Sequence, residues 1–82
     1  MRLWRSSVGI GLTFDGSRVI KYGIVGQADL SGIISGGRRL EIEVKAARGV
    51  QSIAQINFGA MITKFGGTYV VARSVADVEA VL

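Results

Sequence analysis

Asp29-Leu30-Ser31-Gly32-Ile33-Ile34-Ser35-Gly36-Gly37-Arg38-Arg39-Leu40-Glu41-Ile42-Glu43-Val44-Lys45 reads as a β-hairpin turned by its Gly-Gly pair, which supplies positive φ at no steric cost. Leu30 to Ile34 is the first strand, apolar and interrupted by Gly32; Arg39 to Ala46 is the second. Alternate residues of a strand share a face. Glu41, Glu43 and Lys45 therefore point one way, and Ile42 and Val44 point the other way, into a core. Asp29 is expected on the neighbouring strand near the Glu43 end. Two carboxylates and an ammonium on one face, with a third carboxylate beside them, make either a solvated surface or a site for a divalent cation.

Outward from the hairpin, residues 3 to 11 read as a strand. Asp15-Gly16 is a turn, and Val19 to Tyr22 is the returning strand. Downstream, Ser52-Ile53-Ala54-Gln55 has the capping-box pattern and opens a helix from Ile53 to about Phe65, closed by Gly66-Gly67. At about 100° per residue, Ala54, Phe58, Met61, Ile62 and Phe65 form its core stripe, leaving Ile53, Ile56 and Ala60 near the opposite side as candidates for a subunit contact. Gly59, in mid-helix, implies a close contact there. Thr68 to Ala72 reads as a strand, and Ser74 caps a closing helix from Val75 to Leu82. Strand, strand, helix, strand, helix is the order of a mixed α/β layer with helices packed on a sheet.

The chain has 82 residues, a formal charge of +4 and no Cys, Pro or His. A domain of this size buries only about 60% of the surface its unfolded chain exposes, and with no disulfide to help, a second copy is an economical way to complete the core. Without Cys or His there is no thiolate nucleophile, imidazole base or ordinary zinc site. Any metal must be held by oxygen, which suits magnesium or manganese. Taking the clustered acids out of the tally leaves a basic surface suited to a polyanion such as DNA or RNA, with Arg5, Arg18, Lys21, Arg38, Arg39 and Arg48 as phosphate-contact candidates. Trp4, Tyr22 and Tyr69 read as core or interface aromatics. No apolar run reaches membrane-spanning length and no signal peptide is evident, so an intracellular, cytoplasmic protein with no membrane partner is expected.

Asp29, Glu43 and water can share one Mg2+ (or Mn2+) with the backbone carbonyl of Val44. Lys45 could orient or help deprotonate an attacking water, and Gln55 begins the helix that follows. The spacing of acid, thirteen residues, Glu, one apolar residue and Lys is that of the PD-(D/E)XK nucleases. Gly26-Gln27-Ala28-Asp29-Leu30-Ser31-Gly32-Ile33, Gly37 to Lys45, Gly49, Gln51-Ser52, Gln55, Gly66-Gly67-Thr68-Tyr69 and Val71-Ala72-Arg73-Ser74-Val75 together resemble the VRR-NUC family of virus-type replication-repair nucleases, as does Leu3-Trp4-Arg5-Ser6-Ser7-Val8-Gly9. The resemblance spans nearly the whole chain.

That resemblance implies a restriction-endonuclease-like fold, one VRR-NUC-type domain over residues 1–82, and metal-dependent cleavage of DNA. It implies further that the chain is similar to small viral or bacterial homodimers that cut four-way junctions. Carried over, Asp29 and Glu43 are metal ligands, Lys45 is the catalytic lysine and Gln55 its helix-borne polar partner. Glu41 lies outside the motif and is expected at the surface or behind the ligands. Two departures stand out: Ala28 occupies the proline position, and the family's additional acid on a helix ahead of the first strand has no counterpart before Leu3. The second leaves open whether one metal or two is held. A non-catalytic DNA-binding or assembly module, and a nuclease acting on flaps or linear duplex, are the rival readings.

Overall fold

β-Branched and apolar runs separated by glycines give strands, and two serine caps give helices. In a computed structural model, residues 1–6, 9–12, 19–22 and 24–82 are described, the strands at 9–12 and 19–22 by their backbone alone. The order is β1 (Arg2–Arg5), β2 (Gly9–Leu12), β3 (Val19–Tyr22), β4 (Leu30–Ile34), β5 (Arg38–Val44), α1 (Ile53–Lys64), β6 (Thr68–Ala72) and α2 (Val75–Glu79). The protein is thus α/β in character, with β1-β4-β5-β6 in one sheet and β2-β3 paired in another. The stretch expected as a single strand over 3–11 is two strands belonging to different sheets. The Asp15-Gly16 turn lies outside the described residues.

β4 and β5 form the expected antiparallel hairpin, with Ser31 opposite Glu41 and Leu30 opposite Ile42. Gly36 and Gly37 turn it with φ of +85° and +74°. β5 and β6 run parallel. Parallel neighbours cannot be joined by a tight turn, and α1 supplies the crossover. Ser52 and Gln55 close both halves of the capping box at its start. At its end the Gly66 amide bonds the Thr63 carbonyl and the Gly67 amide bonds the Ile62 carbonyl, the paired bonds of a Schellman stop.

The two faces of the four-stranded sheet differ in chemistry. One carries Ile34, Leu40, Ile42, Val70 and Ala72, the hydrophobic core, with Leu3, Leu30, Val78 and Val81 packed against it. The other carries Ser31, Glu41, Glu43 and Tyr69 and is covered over β5 and β6 by α1, whose Phe58 meets the Tyr69 ring edge to face at 6.2 Å. Two expected core residues lie elsewhere. Val44 is 54% exposed because it sits at the end of β5, past the cover of α2, and Phe65 is 77% exposed because α1 stops at Lys64 and leaves it in the cap. α2 also ends at Glu79, short of Leu82. Ile53, Ile56 and Ala60 are exposed as expected. Among the described residues no helix is long and apolar enough to cross a membrane.

Candidate functional site

The register that sets Leu30 opposite Ile42 brings Asp29 level with Glu43. The Asp29 side chain is held there by the backbone: its Oδ2 accepts from the Val44 amide at 2.8 Å. In an extended strand a residue's N–H and C=O point to the same edge, so the Val44 carbonyl also lies on the Asp29 side. Glu43 is buried, 3% exposed. Its Oε1 accepts from Gln55 Nε2 at 3.0 Å and has Lys45 Nζ at 3.8 Å. Its Oε2 is buried without a hydrogen-bond partner among the described residues.

That oxygen is an exception to the rule that buried polar atoms are paired. Burial raises the Glu43 pKa, the Asp29 carboxylate raises it further by charge and by hydrogen bonding, and Lys45 opposes both. Two carboxylates crowded at the end of two strands compete for one positive partner. A proton or a hard cation satisfies both.

Gln55 is oriented from two sides. Its Oε1 accepts from the Ser52 amide at 2.9 Å as half of the capping box, so its Nε2 must face Glu43. The capping role and the site role are therefore one geometry. Two close approaches set α1 at this height. A Cβ on Gly59 would come within 2.7 Å of the Tyr69 ring, and a Cβ on Gly26, whose φ is +83°, would come within 2.3 Å of the Ala54 carbonyl group. Gly26 thus lets the chain leading to Asp29 lie directly on the first turn of α1. Tyr69 completes the support, its hydroxyl accepting from Gln51 Nε2 at 2.9 Å. Burial raises its pKa, and the Glu43 charge adds to that.

Glu41 departs from expectation. It is neither at the surface nor behind the ligands, but fully buried with both oxygens in use: Oε2 accepts from Ser31 Oγ at 2.7 Å and Oε1 from Arg39 Nε at 2.7 Å. Ser31 Oγ in turn shares a hydrogen bond with Ser6 Oγ. Ser31 and Ser6 were not singled out from the sequence, although strand parity places Ser31 on the Asp29 face. Among the described residues, no three acidic side chains gather into one metal-binding group. The protein's own donors at the candidate site are therefore Asp29, Glu43 and the Val44 carbonyl, all oxygen, a set that fits a hard divalent cation.

Among the described residues, Arg5, Arg38 and Arg48 do not converge on this site. Arg5 pairs with Leu30 and Arg38 with Ile34, which puts both on the opposite face of the sheet. Arg48 is exposed in the turn just after Lys45. The side chains of Arg18 and Lys21 lie outside the described residues. Arg73, which the sequence gives no separate role, anchors that turn by donating from Nη1 to the carbonyls of Ala46 at 2.7 Å and Gly49 at 2.8 Å.

Comparison with protein-family models, with curated proteins and with solved structures finds no match.

Proposed function

We propose that the protein is a metal-dependent endonuclease that hydrolyses DNA phosphodiester bonds, acting on branched DNA such as a four-way junction as a homodimer in a restriction-endonuclease-like fold. The observation that carries this reading is the buried Glu43 Oε2, which lies beside Asp29 and has no hydrogen-bond partner among the described residues. An oxygen so placed weakens the fold unless a proton or a cation uses it. When bound, Mg2+ or Mn2+ supplies Lewis-acid activation of a phosphodiester and of water. Asp29 and Glu43 would hold it, with the Val44 carbonyl.

The chain's own residues do the rest. Gln55 ties down Glu43 Oε1, which leaves Oε2 to the cation. Lys45, its side chain 19% exposed and its Nζ 3.8 Å from Glu43 Oε1, places positive charge at the edge of the pair, where it balances charge growing on a phosphate. The partly covered setting strengthens that effect relative to water. The branched substrate and the homodimer come from the family resemblance, to which the exposed Ile53 and Ile56 on α1 add an uncovered apolar surface.

The test is cleavage of a labelled four-way junction in Mg2+. Cleavage by the wild type that is lost in Glu43→Ala and Lys45→Ala supports the reading. An inactive wild type, or variants as active as the wild type, overturns it in favour of a non-catalytic DNA-binding module. A panel of flaps and linear duplexes separates the junction substrate from its rivals.

A further inference from the structure

The polar face of the sheet extends beyond the candidate site. Strand pairing sets Trp4, Ser31, Glu41 and Tyr69 in one row across it, and Arg2, Ile33 and Arg39 in the next. These rows follow the Asp29 and Glu43 level at intervals of about 7 Å, two residues along a strand. α1 covers the β5 and β6 half of this face. On the β1 and β4 half, Trp4 is 44% exposed and Ile33 48%, far from the core positions expected of an aromatic in so small a protein.

Arg39 is an unusual surface arginine. Its Nε donates to the fully buried Glu41, which Ser31 holds from the other side, while the side chain as a whole is 53% exposed. Burying a carboxylate is costly, and this one is kept with both oxygens engaged. The consequence is a guanidinium tethered through Nε to a buried carboxylate, on a side chain that is half exposed. A guanidinium tethered in this way loses less entropy than a free one on gripping a phosphate in bidentate fashion. Arg2, opposite Ile33, adds a second positive charge on the same row.

We infer that the Arg2, Trp4, Ile33 and Arg39 surface binds an unpaired DNA strand, with Arg39 on a backbone phosphate and the Trp4 indole stacked on a base. Charge complementarity selects a polyanion, and an exposed indole one row along the sheet from two arginines suits a base that has left its duplex. Continuity along one sheet face runs that strand toward Asp29 and Glu43. This assignment rests on the nuclease reading for its direction, but not for its test.

Trp4 is the chain's sole tryptophan, so its emission reports on this surface alone. Titrating the protein in EDTA with a short oligothymidylate is expected to quench that emission, and a blunt duplex of the same length is expected to quench it far less. By anisotropy of a labelled oligothymidylate, Trp4→Ala should bind roughly 5- to 150-fold more weakly. Arg2→Ala should lower the slope of log affinity against log salt by about 0.7. Arg39→Ala strips Glu41 of its partner and risks the fold, so Arg39→Lys is used instead, with an expected loss of a few-fold or more because a lysine cannot reproduce the bidentate grip. Absence of quenching, or wild-type affinity in Trp4→Ala and Arg39→Lys, overturns the assignment. Binding in EDTA by a protein that cuts nothing in Mg2+ sinks the nuclease and keeps this surface. Cleavage with unchanged KM in Trp4→Ala does the reverse.

Discussion

Glu41 and Glu43 stand two residues apart on one strand, on one face, both buried, and their surroundings could hardly differ more. Glu41 has a donor on each oxygen. Glu43 has an amide and an ammonium near one oxygen, a second carboxylate close by, and no donor on the other among the described residues. Burial alone therefore does not mark a functional acid; the hydrogen-bond accounting does. Glu41 has its hydrogen-bonding capacity filled, and Glu43 has capacity left over.

The widest separation between the two should be in cleavage. Glu43→Ala is expected to cut a junction about 10³-fold more slowly, equivalent to about 4 kcal/mol of barrier, whereas Glu41→Gln, if folded, should stay within about tenfold of wild type. Equal losses in single-turnover rates would erase the distinction. Stability should then split in sign. In cation-free buffer, Glu41→Ala leaves Ser31 and Arg39 without their acceptor and is expected to cost about 1–3 kcal/mol in urea unfolding. Glu43→Gln removes a crowded charge and should unfold at higher urea than wild type.

Acidity gives the next contrast. Because the folded Glu43 holds its proton above the ordinary value of 4.5, the folded state binds more protons than the unfolded one in that window. Its stability contribution is thus full below pH 4.5 and is lost as pH rises through the raised folded value. Wild type should weaken over that interval in EDTA and Glu43→Gln should not, as read by pH-dependent denaturation midpoints. Saturating Mg2+ should flatten the decline. At about ten times its Kd the ion should also add about 1.4 kcal/mol, a melting shift of several degrees in a domain this size. Glu43→Gln should lose that shift and Glu41→Gln should keep it.

The finest probe is Gln55→Glu. A glutamate preserves the capping box but puts a third acid against Glu43. The variant is expected to be slightly less stable in EDTA and to bind Mn2+ several-fold more tightly by calorimetry. Unchanged Mn2+ affinity would detach Gln55 from the site.

Much of this arrangement was legible in the sequence because it rests on short-range rules. The Gly36-Gly37 turn, the Ser52 and Gln55 cap and the period-2 alternation from Arg39 to Lys45 each depend on residues within a few positions, and together they place Asp29, Glu43, Lys45 and Gln55 at one end of the sheet. What escaped depends on partners far along the chain. Nothing local says that Glu41 faces Ser31 and, through it, Ser6. Nor does the sequence around Trp4 reveal that α1 stops short of it. Phe65 differs for another reason: helical register puts it in the core stripe, but as the C-cap before Gly66 it lies past the last packed turn and is exposed. The split of residues 3–11 into β1 and β2 likewise reflects strand partners that period-2 alternation does not encode.

The double engagement of the Gln55 amide carries one more consequence. Its oxygen secures the first turn of α1 and its nitrogen secures Glu43, so that turn cannot fray without releasing the carboxylate. Hydrogen–deuterium exchange at the Gln55 backbone amide, which donates to Ser52 Oγ, is therefore a reporter of occupancy: any ion that fixes Glu43 slows the opening of the helix start, and the two events share one free energy.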